Sequence, residues 1–322
     1  MKNSSEKIEI AKCLQLIENE KIVASASNQI RSKKFENNTL PYMITLPAMW
    51  LLIICVRIKK FIYKILGLGK PKINSIFFDG LGKSSRKVKE YASSWKALDI
   101  VYNHPFSYAK NLTNIIDEYY WNGLNCQGLR NRRKLIKEEL RKAILKQAEN
   151  KEGEVKIISL ACGSAEVLIE LIAELKEKNI KTKSLLIDID EDALKRALIV
   201  AKEFGVEELI KTEKNTVYAI KDISKEFNPD IIEMMGFLDY LKDEEAIKVT
   251  KLIKESLNKD GYFISCNINN NPEKEFLTWV IDWPMVYRNP EDLLNLGIKA
   301  EFEDNKVIYE PLKIHGILIS KK

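Results

Sequence analysis

The sequence predicts an α/β fold for its second half: a mostly parallel β-sheet with helices on its faces and an antiparallel strand near the C-terminus. Short apolar runs typical of buried strands alternate with segments of helical periodicity between residues 156 and 267. The region before this alternation is predicted to be mainly helical, because apolar residues recur there at helical spacing. A chain of 322 residues, 45% of them hydrophobic, is long enough for about two domains with buried cores.

Four helices are predicted before the sheet. Residues 5–31 have the pattern of a modest amphipathic helix, and further helices are expected at residues 89–102, 108–121 and 129–147. The polar stretch 149–154 contains a glycine and is predicted to be a domain boundary. We therefore expect an amphipathic segment at residues 1–70, a helical cap region at residues 71–150 and the α/β domain at residues 151–322.

Residues 40–56 form a run without any charged side chain, and a basic amphipathic stretch follows it from Arg57 to Lys64. Seventeen uncharged residues are near the lower limit for crossing a bilayer, and Pro41 and Pro47 shorten the unbroken run. Three interpretations remain open at this stage: a buried core helix, a membrane-surface anchor formed by residues 40–66, and a membrane span.

The net charge of +6 is unevenly distributed along the chain. Residues 1–150 contain 27 basic and 13 acidic side chains, whereas the remaining residues contain 25 and 33. A basic first half could face lipid headgroups, nucleic acid or an anionic substrate, and an ordinary solvated basic surface is the alternative.

The five cysteines are scattered and include no C-x-x-C pair, so neither a zinc site nor a disulfide framework is predicted. No metal is therefore expected. The first residues lack the features of a signal peptide, and we expect a reduced, cytoplasmic protein, either free or peripheral to the membrane.

The elements of the second half follow one another in a regular order. Strands are predicted at residues 156–161, 184–189, 216–220, 230–235 and 262–267, and helices at residues 166–178, 192–204 and 244–258. Two further strands, at residues 298–303 and 307–319, are expected around Asp304-Asn305.

Three features lie at the carboxyl ends of the first three predicted strands, where ligands bind in parallel sheets. The turn Cys162–Ala165 contains only small residues, so a ligand can approach its backbone closely. Asp188 ends the second strand, where a carboxylate can accept hydrogen bonds from both hydroxyls of a ribose. Asp222 follows the third predicted strand, near the expected position of an adenine amino group.

The segment Ser159-Leu-Ala-Cys-Gly-Ser-Ala165 resembles the first motif, D-x-G-x-G-x-G, of class I S-adenosylmethionine-dependent methyltransferases and its variant D-L-A-C-G-T-G. This resemblance implies a Rossmann-like sheet and S-adenosylmethionine as the cofactor. It places the methionine portion along Ala161, Cys162 and Gly163, the ribose at Asp188, and the adenine between Asp222 and Ile223. The resemblance implies further cofactor contacts from Ser164, Glu166, Ile189, Met234 and Gly236. Ser159 and Ala165 depart from the motif, and Glu166 or Glu233 could supply the acid that Ser159 lacks.

Residues 229–240 and 276–288 resemble a bacterial branch of these enzymes that includes methyltransferases of 3-hydroxy fatty acid methyl ester signals. That branch also carries a stretch similar to Asn125-x-x-Gly128-x-Arg130-x-Arg132. The resemblance implies a small-molecule or lipid-like acceptor, methylated on oxygen or nitrogen, with a carboxylate as one option.

Trp279, Trp283 and Tyr287 recur every four residues and would form one aromatic face on a helix, either as a lid over the cofactor or as core packing. Pro284 weakens the helix prediction. Arg288 could bind an acceptor carboxylate or phosphate, or form an ordinary salt bridge. The predicted catalytic residues are Glu233, Tyr240 and Arg288, and the predicted substrate residues are Tyr119, Arg130, Arg132, Trp283 and Tyr287. Both histidines, His104 and His315, are expected to be structural.

Three alternative functions remain open at this stage. A nucleic-acid methyltransferase could use the basic first half, but the basic runs are not interleaved with aromatic residues as in recognised binding modules. A cofactor-binding regulatory protein without catalysis is the second alternative. A nicotinamide or nucleotide-sugar site is the third, and only Gly163 fits the glycine pattern of a dinucleotide site.

Overall fold

The computed structural model describes residues 34–73, 82–103 and 112–322, which belong to two compact units, residues 1–127 and residues 128–322. The predicted helix at residues 5–31 lies outside the described residues. The described part of the first unit is helical: α1 (Leu40–Ile65), α2 (Lys83–Glu90), α3 (Trp95–Asn103) and α4 (Leu112–Trp121). The helix predicted at residues 89–102 is divided by a turn at residues 91–94, where Ser93 has a φ of 65°.

Helix α4 stabilises the beginning of α2 through Asp117. The buried carboxylate of Asp117 accepts hydrogen bonds from the backbone amides of Lys83 (3.1 Å), Ser84 (3.1 Å) and Ser85 (3.3 Å). These amides have no partner inside the helix, and a negative charge is favourable at a helix N-terminus. A side chain distant in sequence therefore caps α2.

Helix α1 has only two buried residues, Ile53 and Val56. Pro41 lies in its first turn, where the missing amide hydrogen costs nothing. Among the described residues, α1 is the one helix whose length and composition would suffice to cross a membrane. Most of its apolar side chains do not pack against the described part of the protein, contrary to what a buried core helix requires.

The second unit contains one sheet of seven strands in the order β3-β2-β1-β4-β5-β7-β6. Strands β1 to β5 are parallel, and β7 and β6 are antiparallel. The strand order reverses between β1 and β4, which creates a ligand-binding crevice at the carboxyl ends of parallel strands. The strands are β1 (Val155–Leu160), β2 (Thr182–Asp188), β3 (Ile210–Lys214), β4 (Ile231–Met234), β5 (Tyr262–Ile268), β6 (Asp304–Tyr309) and β7 (His315–Lys321).

Helices cover both faces of this sheet. They are α5 (Leu124–Asn150), α6 (Glu166–Glu177), α7 (Glu191–Glu203), α8 (Ile220–Phe227), α9 (Asp243–Ser256) and α10 (Pro290–Lys299). Alternate residues of β1 enter two separate cores, Ile157 on the face of α5, α6 and α7, and Ile158 on the face of α9 and α10. Burial on both faces explains why the parallel strands are apolar without alternation.

The unit that contains the sheet begins at Gly128, within α5, whereas the sequence predicted a boundary near residue 150. Ile136, Leu140 and Ile144 of α5 are fully buried in the same core as α6 and β1. Residues 128–150 therefore belong to the packing of the sheet.

The third predicted strand is misplaced. Residues 216–220 form a 3-10 turn and the start of α8, and the third strand is Ile210–Lys214 instead. Strand β3 is an edge strand of the sheet and is half-exposed and polar. It therefore lacks the apolar run by which the other parallel strands were predicted.

The tail contains a hairpin, but its turn lies at residues 310–314 and not at Asp304-Asn305, and residues 298–303 are not a strand. The buried carboxylate of Glu310 holds this turn by accepting from the amides of Leu312 (2.8 Å), Ile314 (2.5 Å) and His315 (3.1 Å).

We predict that Leu140→Ala lowers the free energy of unfolding by about 2–5 kcal/mol, because it leaves a cavity in a fully packed core. Leu198→Ala is the matched control, since Leu198 is 40% exposed; we expect it to change stability by less than about 0.5 kcal/mol. Chemical denaturation followed by circular dichroism measures both. Equal effects of the two substitutions would contradict the assignment of α5 to this core.

Candidate cofactor and acceptor site

The turn after β1 has an unusual backbone. Ala161, Gly163 and Ala165 have φ angles of 48°, 55° and 48°, in the left-handed region that non-glycine residues rarely adopt. The amide of Cys162 donates to the carbonyl of Ile187 (3.2 Å), so the turn is attached to the end of β2. Such backbone strain is concentrated at functional sites, and small side chains leave this turn open to a ligand.

Asp188 joins this turn to β2. One carboxylate oxygen accepts from the amide of Gly163 (2.8 Å), and the other accepts from the amide of Asp190 (2.9 Å). Each oxygen keeps a further lone pair, so the carboxylate can still accept hydrogen bonds from two ribose hydroxyls. The neighbouring Ile189 is 67% exposed and provides an apolar surface on which an adenine ring could lie.

Asp222 does not lie in this group. It is on the exposed first turn of α8 and pairs with Lys225 (2.7 Å), which lowers the pKa of its carboxyl group. Ile223 packs partly against the core. The residue that follows β3 is Asn215, whose amide donates to the carbonyl of Asp188 (3.1 Å). Asn215 was not predicted because the strand before it was missed.

Glu233 lies beside Ser159, the position at which the motif usually carries an acid. The two residues are paired in register on β1 and β4, both are buried, and the Ser159 hydroxyl donates to Oε1 of Glu233. Oε2 of Glu233 has no hydrogen-bond partner in the described part of the chain. Burial raises the pKa of Glu233 to about 7, although the hydrogen bond from Ser159 opposes this shift. A buried carboxyl group with a free oxygen fits an incoming cationic group, such as the ammonium of the predicted cofactor.

Cys162 lies close to both carboxyl groups. Burial raises the pKa of its thiol well above the usual value, and the charges of Asp188 and Glu233 raise it further. The thiol therefore stays protonated and is unsuited to nucleophilic attack. Glu166, the other candidate for the missing acid, is paired instead with Arg133 (3.3 Å). Ser164 completes the turn, and Met234 is fully buried in the core.

The chain after β4 forms a second polar group on the acceptor side. Gly236 has a φ of 77°, and its amide donates to the Cys266 thiol (3.2 Å). Arg132 and Asp239 are both buried, with 4.0 Å between guanidinium nitrogen and carboxylate oxygen. A Cβ atom on Gly236 would lie 3.5 Å from the Arg132 guanidinium. Burial raises the pKa of Asp239 to about 6, and the positive charge of Arg132 limits this shift.

Gly128 determines how Arg132 reaches this position. A Cβ atom at Gly128 would lie 3.2 Å from Ile314 and 3.3 Å from the His315 ring, so a larger residue would require these neighbours of α5 to shift. Arg132 follows one helical turn later, and Arg130 is also buried. Both arginines of the pattern are therefore buried, and their predicted role in binding the substrate stays a prediction.

Arg288 is structural, and the prediction that it binds the acceptor is not supported. Its guanidinium is 2% exposed. It donates to the carbonyls of Leu238 (2.9 Å) and Leu241 (2.7 Å), to Asn267 (2.6 Å), and from two nitrogens to Asp243 (3.0 and 2.8 Å). All three of its nitrogens are occupied, so none remains for an acceptor.

The predicted aromatic helix face is wrong. A π-helical turn, Leu277–Ile281, precedes Asp282, whose φ is 62°, and the chain after it is not helical. Trp283 instead folds back and donates from its indole to the hydroxyl of Tyr240 (2.9 Å). The amide of Val286 donates to the carbonyl of Asp239 (2.7 Å) and fixes this segment beside β4.

Tyr287 lies beside Asp239. Burial raises the pKa of Tyr287 to about 12, and the charge of Asp239 adds to this shift, whereas the nearby polar group of Thr278 opposes it. Its hydroxyl is therefore a hydrogen-bond donor at neutral pH and not a base. The Lys274 ammonium lies 4.7 Å from the centre of its ring.

The remaining candidates lie elsewhere. Tyr119 belongs to the helical unit, where its hydroxyl donates to the carbonyl of Pro41 (2.7 Å) and contacts Thr45. His104 lies outside the described residues. His315 is buried, and burial together with the charge of Arg132 lowers its pKa well below the usual value. Among the described residues, no group of three potential metal ligands occurs.

A family model described as "Putative methyltransferase" matches residues 78–306. The chain belongs to this methyltransferase family. The fold and the family match confirm the predicted class of S-adenosylmethionine-dependent methyltransferases, and S-adenosylmethionine is the methyl donor of that class. Assignment of this methyltransferase to the narrower fatty-ester branch remains a prediction.

A solved structure shares the fold of this methyltransferase, and another is similar at a lower score. A possible exported protein from Bordetella parapertussis has a TM-score of 0.62 at 12% identity, over 85% of this chain and 96% of that chain. Magnesium protoporphyrin IX methyltransferase from Synechocystis PCC 6803 with bound SAH has a TM-score of 0.47 at 12% identity, over 62% and 87% of the two chains. Among curated proteins, no sequence matches the methyltransferase.

We predict that Arg288→Lys lowers the free energy of unfolding by about 3 kcal/mol, because buried carbonyl oxygens lose their donors. Cofactor affinity of the folded fraction should be unchanged. The matched control is Arg196→Lys, on the partly exposed pair with Glu203, for which we expect less than about 0.5 kcal/mol. Urea denaturation measures stability and calorimetry measures affinity. Unchanged stability with lost activity would restore the acceptor role of Arg288.

Proposed function

We propose that this methyltransferase transfers the methyl group of S-adenosylmethionine to a small-molecule acceptor held beside Gly236 and Asp239. The observation that carries the proposal is the hydrogen bond between Asp188 and Gly163, with the free oxygen of Glu233 nearby. It brings two acidic groups and a small-residue turn together at the carboxyl ends of β1, β2 and β4.

In this proposal the cofactor lies across that crevice. Asp188 accepts hydrogen bonds from the ribose hydroxyls, and the backbone of Ala161 to Gly163 faces the methionine portion. Ile189 and Asn215 lie on the adenine side, because both follow strands whose ends border the same crevice. Glu233, oriented by Ser159, holds the cofactor ammonium.

When bound, the cofactor supplies an electrophilic methyl group on a sulfonium. The protein contributes alignment of the reactants and exclusion of water, which account for much of the rate of such a displacement. Asp239, with a pKa of about 6, is ionised at neutral pH and can accept a proton from a hydroxyl or amine acceptor. The amide of Ile268 donates to this carboxylate (2.7 Å), and Arg132 lies 4.0 Å from its other oxygen. Tyr287 can donate a hydrogen bond to the acceptor, and a carboxylate acceptor would need no base.

Asp188→Ala should weaken the binding of S-adenosylmethionine at least about tenfold, because it removes the acceptor of both the ribose hydroxyls and the Gly163 amide. Asp222→Ala is the matched control and should leave affinity unchanged, since Asp222 is exposed on α8. Isothermal titration calorimetry measures both. If Asp188→Ala binds the cofactor like the wild type, the proposed cofactor site is refuted.

The affinity for S-adenosylmethionine should depend on pH through Glu233. Its pKa of about 7 means that the free site is protonated at lower pH, while the cofactor ammonium requires the ionised form. Affinity should therefore fall about tenfold per pH unit below pH 7 and level off above it.

Glu233→Gln should abolish this pH dependence and bind more weakly at pH 8, whereas the control Glu166→Gln should retain it. Calorimetry between pH 5.5 and pH 8.5 gives both profiles. A steep pH dependence that survives in Glu233→Gln would exclude Glu233 as the ammonium ligand.

A further inference from the structure

One side of helix α1 presents a continuous apolar stripe to solvent. Its members recur at intervals of three, four and seven residues and are between 49% and 69% exposed. They are Ile44, Leu51, Ile54, Ile58, Phe61 and Ile65. The two buried residues of the helix, Ile53 and Val56, lie on the opposite side. From Ile44 to Ile65 the stripe is about 30 Å long at 1.5 Å per residue.

Basic side chains flank this apolar stripe. Arg57 and Lys59 are the neighbours of Ile58, so they project about 100° to either side of it. The Lys59 ammonium donates to the carbonyl of Lys72 (2.8 Å) and lies 5.9 Å from the ring of Tyr63. Every charged residue between Leu40 and Ile73 is basic.

We infer that α1 docks flat on an anionic lipid bilayer, with the apolar stripe in the boundary between acyl chains and headgroups and the flanking cations at the phosphates. An exposed apolar stripe with basic flanks and no acid is the pattern of an interfacial helix. Trp50, 44% exposed at the edge of the stripe, is a residue type favoured at that depth.

The distribution of charge favours this position over a membrane span. The uncharged run from Leu40 to Val56 is near the lower limit of length for a span, and Pro47 interrupts it. Four cations, Arg57, Lys59, Lys60 and Lys64, follow within the same helix, where headgroups solvate them better than acyl chains do. It also favours lipid over a second copy of this chain, because the cations of α1 would have no acidic partner on a second α1, and a parallel pair would bring like charges together.

The test is co-sedimentation of the full-length protein with phosphatidylcholine vesicles that do or do not contain phosphatidylglycerol. The wild type should bind the anionic vesicles at least about tenfold more tightly than the neutral ones. Ile58→Glu should reduce binding to anionic vesicles at least about tenfold, because it places a charge in the apolar stripe. The matched control is Ile298→Glu, since Ile298 and Ile58 are 52% and 54% exposed; it should bind like the wild type.

A second pair of variants tests the basic flanks. Arg57→Gln with Lys64→Gln should weaken binding to anionic vesicles roughly tenfold and leave binding to neutral vesicles unchanged. The control is Lys248→Gln with Lys251→Gln, because both side chains are exposed on the outer face of α9. Calorimetry with S-adenosylmethionine should give the same affinity for all these variants, so a failure of docking is distinguishable from a failure of the proposed cofactor site.

Four results would overturn the inference. The first is that the wild type does not bind anionic vesicles, and the second is that Ile58→Glu and Ile298→Glu bind them equally well. The third is that alkaline carbonate does not release the bound protein from the vesicles, which would indicate a span. The fourth is an Ile58→Glu variant that changes from dimer to monomer without lipid, which would indicate a second copy on the stripe.

Discussion

The hydrogen bond from the Gly163 amide to the Asp188 carboxylate is the constraint on which the site depends. It closes the turn after β1 onto the end of β2 and keeps three residues of that turn in left-handed conformations. Because the same carboxylate also accepts from Asp190, a backbone amide holds each of its oxygens, and each oxygen keeps a further lone pair. A flexible side chain at this position would leave the backbone free to relax and the site without a defined shape.

Burial determines the chemistry of the other two acids. Glu233 lies within β4 and Asp239 lies in the 3-10 turn Leu238–Tyr240 that follows it. Desolvation raises the pKa of both carboxyl groups. Their partners differ: a neutral serine hydroxyl touches Glu233, whereas a guanidinium faces Asp239. Glu233 is thereby suited to receive a positive charge, and Asp239 remains ionised and suited to accept a proton.

Two buried arginines show how similar residues acquire different roles. Arg288 donates to backbone carbonyls and to Asp243 from every nitrogen and binds the chain after β4 to β5 and α9. Arg132 reaches Asp239 from α5, where Gly128 permits close packing. The guanidinium of Arg288 therefore stabilises the chain segments around the site, whereas the guanidinium of Arg132 places a positive charge within the site.

The sequence by itself determined the sheet, the turn after β1 and Asp188, because buried parallel strands are apolar throughout and their ends carry the polar residues. It could not place β3, the hairpin turn at Glu310 or the segment around Trp283, where an exposed edge, a buried carboxylate and a long-range hydrogen bond override the local pattern. Only the tertiary structure decided that Glu233 stands beside Ser159 and that Arg288 has no free donor. Strand register and side-chain contacts join residues far apart in the chain, and no local pattern of sequence encodes them.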